Sequence, residues 1–108
     1  MPHEQFQSCI DACHACATAC DHCAISCLGE QDVGSMARCI RLDIDCAQIC
    51  RLAAAFMSRG SQFAASLCRL CAEVCETCGG ECAKHDMDHC QQCAEACRKC
   101  AEECRRMA

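Results

Sequence analysis

The sequence has little of what usually builds a protein core or crosses a membrane. It has no tryptophan or tyrosine, three phenylalanines and a single proline, Pro2. No apolar run approaches the roughly 18 residues of a membrane span. The start, MPHEQFQSCIDAC, has neither the basic nor the apolar segment of a signal peptide. We therefore expect a cytoplasmic protein that has no membrane partner.

Clusters of basic residues are absent as well. The net charge is −5, the pI is near 5.4, and the arginines are scattered along the chain. This pattern argues against nucleic acid as a partner. The hydrophobic fraction of 53% looks generous until the 19 cysteines are set aside, so the ordinary core is thin. A chain of 108 residues suits one domain, which we predict to span residues 1–108.

Cysteine fills the place of the missing apolar residues, and it recurs with a helical period. The first series steps by 4, 3, 4, 3, 4, and two later series step by 3, 4, 3, 4. Residues three and four apart share one face of a helix, and their alternation is the seam along which helices pack. The three series are Cys9, Cys13, Cys16, Cys20, Cys23 and Cys27; Cys68, Cys71, Cys75, Cys78 and Cys82; and Cys90, Cys93, Cys97, Cys100 and Cys104. The seam is made of sulfur, which favours a soft ligand.

A disulfide scaffold is the ordinary interpretation of so many cysteines. The expected cytoplasmic location disfavours it, because that compartment keeps thiols reduced. The odd count of 19 also prevents complete internal pairing.

Turn and cap residues divide the chain into four segments of helical length. Gly29 follows the first cysteine series, Arg59 and Gly60 close the second segment, and a polar run occupies positions 84–88. Candidate N-cap residues are Asp32, Ser61, and Asp86 or Asp88. Short loops force consecutive helices to be antiparallel. The predicted fold is all-α, an up-down-up-down four-helix bundle with a cysteine-lined core.

The third segment contains a pair of glycines, Gly79 and Gly80, which costs a helix roughly 2 kcal/mol. Because Cys78 and Cys82 keep the helical step across the pair, we expect the helix to continue through it.

The second segment carries a carboxylate on its sulfur seam. Its cysteines are Cys39, Cys46 and Cys50, and the same 3,4 step places Asp43 among them. The alternative is a helix register in which Asp43 lies at the edge and meets solvent or an arginine.

An antiparallel bundle sorts the remaining residues between its two ends. One end collects Phe6, Phe56, Met57, Phe63, Leu67 and Met107, and the other collects Cys27, Met36, Cys39, Asp43, Cys82, His85, His89 and Cys90. We interpret the first end as a hydrophobic plug and the second as a polar mouth that bears ligands.

The sulfur seam suits Cu(I) better than other metals. Buried thiolates need compensating positive charge, and one monovalent ion per thiolate leaves the core almost neutral, whereas zinc with four thiolates leaves −2 at every site. Cu(I) favours sulfur and tolerates low coordination. An evenly spaced ladder supplies some tetrahedral sites but no discrete groups of four. Iron–sulfur clusters are disfavoured because their cysteines lie in loops with Gly and Pro turns.

The cysteine pattern thus predicts a protein that binds many Cu(I) ions, and two alternatives stay open. One is a zinc or mixed soft-metal buffer, resembling metallothionein in role. The other is a thiol oxidoreductase, although no strand-like alternation accompanies any CxxC here and no catalytic base, nucleophile elbow or phosphate loop is present. We therefore expect a protein that is not an enzyme.

The runs CIRLDIDCAQIC at 39–50 and KHDMDHCQQC at 84–93, together with the CxxxC and CxxC ladders, resemble the cytosolic bacterial copper storage proteins over essentially the whole chain. The resemblance implies a cysteine-lined bundle that holds many Cu(I) ions and assembles as a homotetramer. It implies that Asp43, His85 and His89 are ligands at the mouth. The sequence departs from the family at Met87, where a further histidine is common.

The remaining histidines, His3, His14 and His22, are predicted to be solvated. Met36 is either a soft ligand near the mouth or a residue that fills a gap in the core. Apolar residues outside the seam predict a homo-oligomer. They are Leu42 and Ile49, with Ile10, Ile25, Ile44 and Leu70 farther round the helices. No sequence feature identifies a copper donor or acceptor protein.

Overall fold

The computed structural model describes residues 6–108, and within this range it consists of four α-helices and no strand. The helices are α1 (Gln7–Leu28), α2 (Ala37–Ser58), α3 (Ala64–Cys82) and α4 (Asp88–Met107), and a 3-10 helix (Val33–Met36) leads into α2. Each helix packs against the helices before and after it, and α1 also packs against α4. The described part measures 48 × 17 × 17 Å. The predicted up-down-up-down bundle is confirmed.

The helices end where the sequence predicts, but they begin differently. Gly29 directly follows α1, and Gly60 after α2 has φ 65°, a left-handed conformation that favours glycine. The predicted side-chain N-caps are wrong, because the N-cap residues of α2, α3 and α4 are Met36, Phe63 and Met87.

Local backbone geometry explains these starts. The N–H of Ala37 bonds to the carbonyl of Gly34, so the 3-10 helix supplies an acceptor at the start of α2. Before α3, Ser61 Oγ instead accepts a bond from the N–H of Phe63. In the first turn of α4, Asp88 is a helical residue and not the cap.

The glycine pair lies inside α3, which continues unbroken to Cys82 as predicted. A Cβ atom on Gly79 would lie 3.0 Å from Cys97 Cβ and 3.5 Å from the carbonyl oxygen of Ala94. Gly80 has open space at the corresponding position. Gly79 therefore allows α3 and α4 to approach closely, whereas Gly80 has no packing role.

Exposed large apolar side chains lie on the first three helices, whereas the fourth helix exposes polar and charged ones. Ile25, Leu28, Ile44 and Leu70 on α1, α2 and α3 are exposed, whereas the outer face of α4 carries glutamine, glutamate, lysine and arginine. Ile10, predicted to lie outside the seam, is instead buried in the core. Among the described residues, no helix has the length and hydrophobicity needed to cross a membrane.

Candidate metal centre

All 19 cysteines of the chain lie in one central column. Each is a free thiol with at most 1% of its surface exposed. Sulfur atoms of different helices lie 3.5 to 4.0 Å apart. The column extends from Cys9 and Cys104, 3.6 Å apart at one end, to Cys39 and Cys82, 3.5 Å apart near the other. The helical seams thus form one continuous column of sulfur atoms.

The thiols fall into groups of four whose sulfur atoms all lie within 4.8 Å of one another. Five of these groups are Cys13, Cys71, Cys100 and Cys104; Cys16, Cys46, Cys50 and Cys75; Cys16, Cys20, Cys46 and Cys97; Cys20, Cys78, Cys93 and Cys97; and Cys23, Cys27, Cys39 and Cys90. Cys16, Cys20, Cys46 and Cys97 each belong to two of them. Because the groups share members, they cannot all fill as separate four-thiolate sites. The geometry favours ions that share thiolates.

The column contains no cationic side chain to balance negative charge. The buried polar or charged residues of the described chain are Asp43 and Glu81. Burial raises the pKa of the Cys27 and Cys90 thiols, since a low-dielectric environment disfavours the thiolate. A buried core of this kind favours protonated thiols over unpaired thiolates, so cations that bind there must displace protons.

Asp43 lies inside the sulfur column and is fully buried. Its Oδ1 atom is 3.3 Å from Cys78 Sγ, 3.4 Å from Cys93 Sγ and 3.5 Å from Cys82 Sγ. The alternative in which Asp43 meets solvent or an arginine is therefore wrong. Burial raises the pKa of the carboxyl group to about 10. Without metal, Asp43 is a neutral acid among thiols.

The two predicted mouth histidines flank the end of the column at the α3–α4 hinge. His89 Nε2 lies 3.5 Å from Cys27 Sγ, and His89 is partly buried. His85, with 16% of its side chain exposed, contacts Glu81. Gln91 fixes the hinge by donating to the carbonyl oxygen of His85 over 2.6 Å. The structure thus brings His89 beside Cys27, whereas the ring of His85 pairs with Glu81.

Glu81 is a mouth residue that the sequence analysis missed. Its side chain is 9% exposed, and its Oε1 lies 3.3 Å from Arg38 Nε and 3.5 Å from Lys84 Nζ. Its Oε2 lies 3.0 Å from His85 Nε2. The available signal was the spacing to Lys84 and His85, three and four residues later, which places all three on one helix face.

The opposite end is closed by apolar side chains, but only one of the three phenylalanines belongs to the closure. Phe6, Leu67 and Met107 pack against the core. Phe63 is 57% exposed, and Phe56 lies beneath the guanidinium of Arg59, 4.8 Å from its ring centroid. The ring of Phe63 belongs to the surface because this residue is the N-cap of α3, outside the helix face that meets the core.

The remaining candidates divide between surface and interior. His14 and His22 are exposed as predicted, and His3 lies outside the described residues. Met36 is fully buried, and Met87 is partly buried against the core.

Comparisons with known proteins identify similar chains over nearly the whole length. A family model described as copper storage protein matches residues 2–108. An uncharacterised cysteine-rich protein of Bacillus subtilis (strain 168), YhjQ, is 53% identical over 86 residues, which are 79% of this chain and 80% of that protein.

Solved structures give the same result for the fold. The Cu(I)-bound copper storage protein BsCsp3 matches with a TM-score of 0.91 and 53% identity, covering 94% of this chain and 96% of that one. Apo copper storage protein 3 from Bacillus subtilis matches with a TM-score of 0.90 and 54% identity, covering 94% and 97%. A cytosolic copper storage protein from Streptomyces lividans, with five coppers, matches with a TM-score of 0.93 and 41% identity, covering 98% and 93%.

Proposed function

The chain belongs to the copper storage protein family, and from that premise we propose that it stores many Cu(I) ions per molecule in the cytoplasm, using its 19 cysteines as the main ligands. The observation that carries the proposal is the continuous column of buried free thiols, with no buried cationic side chain among residues 6–108. One Cu(I) replaces one thiol proton without changing the net charge of the core. The relatives described as Cu(I)-bound and as holding five coppers support the choice of metal.

We assign Asp43, His85 and His89 as additional ligands in the mouth half of the bundle. Asp43 is surrounded by three thiols within 3.5 Å, and His89 lies beside Cys27. Carboxylate and imidazole bind Cu(I) less tightly than paired thiolates do. These ligands therefore pass ions inward to the thiols. In this proposal the whole chain, 1–108, acts as one storage domain.

Zinc is the second candidate cargo, since the overlapping groups of four offer tetrahedral sulfur geometry. The metal content of protein from copper-rich and zinc-rich cultures separates the two. We expect copper to load to a clearly higher number of ions per chain, with proton release as it binds. Zinc loading that equals or exceeds copper loading would contradict the assignment.

We propose that the chain has no catalytic activity. Every thiol is at most 1% exposed, so a disulfide substrate has no access to a sulfur nucleophile. Turnover of a generic disulfide substrate by the reduced protein should be absent. Steady turnover would favour the oxidoreductase alternative.

We also propose that the chain forms a homo-oligomer, which is a tetramer by family resemblance. The assembly buries the exposed apolar side chains of α1 and α2 against further copies of the chain. Ile25 is 71% exposed and Ile44 is 47% exposed, whereas the outer face of α4 is charged. Light scattering should give a smaller assembly for Ile44→Glu than for Gln92→Glu, a control on the charged face. Equal masses for both variants and the wild type would refute this interface.

A further inference from the structure

Met57 lies at the closed end of the sulfur column, in the place where the α2 seam would carry its next ligand. The seam runs through Cys46 and Cys50 to Ala53 and then to Met57, which is fully buried. Its Sδ atom lies 3.6 Å from Cys68 Sγ and accepts a hydrogen bond from that thiol. We propose that Met57 is a copper ligand, and that its thioether and the Cys68 thiolate form the last Cu(I) site of the column.

The sulfur atoms already have nearly the required spacing. A three-coordinate metal with metal–sulfur bonds of about 2.3 Å holds its sulfur ligands about 4 Å apart. Met57 and Cys68 therefore need to separate by only a few tenths of an ångström. Cys9 and Cys104 lie beside Cys68 and offer a third sulfur.

The charge balance at this end favours a thioether over another thiolate. Thiolates in the middle of the column have thiols on both sides, whereas those at the closed end have an apolar wall on one side, formed by Phe6, Leu67 and Met107. That wall keeps water away as a ligand. A thioether is a soft donor without charge, so it completes the coordination of Cu(I) while the site stays neutral.

The competing explanation is that Met57 only fills space, as buried methionines often do. Selenium absorption spectroscopy separates the two, because a bound copper ion scatters strongly from selenium at bond distance and a filler residue has no such neighbour. The protein would be prepared with selenomethionine at all its methionines, reduced, and fully loaded with Cu(I) without oxygen. Met57→Leu conserves the volume, and Met36→Leu, at the other buried methionine, is the matched control.

We expect copper–selenium scattering in the loaded wild type and in Met36→Leu. We expect its loss, with at most one fewer copper per chain, in Met57→Leu, whose metal-free helicity should be unchanged. Absence of copper–selenium scattering in the wild type, or the same scattering in Met57→Leu, would overturn the inference and leave the storage function intact. The inference rests on that function, and a loaded sample holding only one or two coppers per chain would refute both.

Discussion

His85 and Glu81 are linked one helical turn apart by a contact of 3.0 Å between Nε2 and Oε2. The other carboxylate oxygen of Glu81 faces Arg38 and Lys84. The hydrogen bond with His85 is the main cause that lowers the pKa of Glu81, so the carboxylate stays ionised. A carboxylate that binds one imidazole nitrogen orients the ring and leaves the other nitrogen free for a metal. Glu81 is therefore in a position to prepare His85 for copper.

Replacing Glu81 by Gln should slow Cu(I) loading about 10-fold, the lower end of the usual effect of losing a carboxylate partner of a metal-binding histidine. Total capacity should not change, because Glu81 contributes no thiol. Stopped-flow transfer from a Cu(I)–chelator complex measures the rate. Glu76→Gln is the control, since Glu76 is an exposed carboxylate paired with Arg105 away from the mouth. Loading of Glu81→Gln at the wild-type rate would show that the contact between Glu81 and His85 does not assist copper entry.

Removing both mouth histidines should slow copper movement in both directions. His85→Ala/His89→Ala should load slowly and empty slowly to a chelator, with only slightly lower capacity, because we propose that these two residues pass ions to the thiols. The control variant His14→Ala/His22→Ala changes two exposed histidines and should match the wild type. Wild-type rates in the mouth variant would mean that these histidines belong to an ordinary hinge.

The sequence predicted this division between mouth and column because the cysteine steps fix both helix register and helix face. The 3,4 spacing leaves one way to bury the thiols, and on α2 the same spacing places Asp43 on the inward face with Cys39 and Cys46. Glu81 was missed because it lies beside the seam and not on it. Its ion pair with Arg38 of α2 is a contact between helices that no local spacing encodes.

Asp43 should make the metal-free protein less stable as pH rises. Its ordinary pKa is 3.8, and burial raises the pKa in the folded protein to about 10. Between these values folding takes up a proton, so the stability that Asp43 contributes is complete below its ordinary pKa and is lost as pH rises toward the folded value. In urea unfolding between about pH 5 and 7, the stability of Asp43→Asn relative to wild type should increase by up to about 1.4 kcal/mol per pH unit.

Thiols do not ionise in this pH range in the unfolded chain, and other carboxylates contribute equally to both proteins, so the difference isolates Asp43. A constant difference between the two proteins across the range would show that the buried carboxyl group does not hold its proton.

The two neighbouring glycines of α3 should respond oppositely to alanine. Gly80→Ala gains helix propensity without a contact and should stabilise the metal-free protein by about 0.5–1 kcal/mol. Gly79→Ala places a methyl group 3.0 Å from Cys97 Cβ, and such overpacking costs about 1–3 kcal/mol. Urea unfolding of the reduced protein measures both values. Equal effects would contradict the close approach of α3 and α4.

The helix starts and the close approach of α3 to α4 could not be predicted from the sequence, and both failures have the same physical reason. Intrinsic preferences of Asp and Ser predict side-chain caps, whereas the first turn of α2 obtains its acceptor from the backbone of the 3-10 helix. Gly79 has a role in packing only because Cys97 lies opposite, on another helix. Both depend on three-dimensional neighbours and not on local pattern.

The most direct test of copper storage is an anaerobic titration of the reduced protein with Cu(I) against a competing chelator, with protons counted as copper binds. The column of 19 buried thiols predicts well over half an ion per cysteine, with protons released throughout loading. Saturation at one or two ions per chain, or loading without proton release, would contradict it.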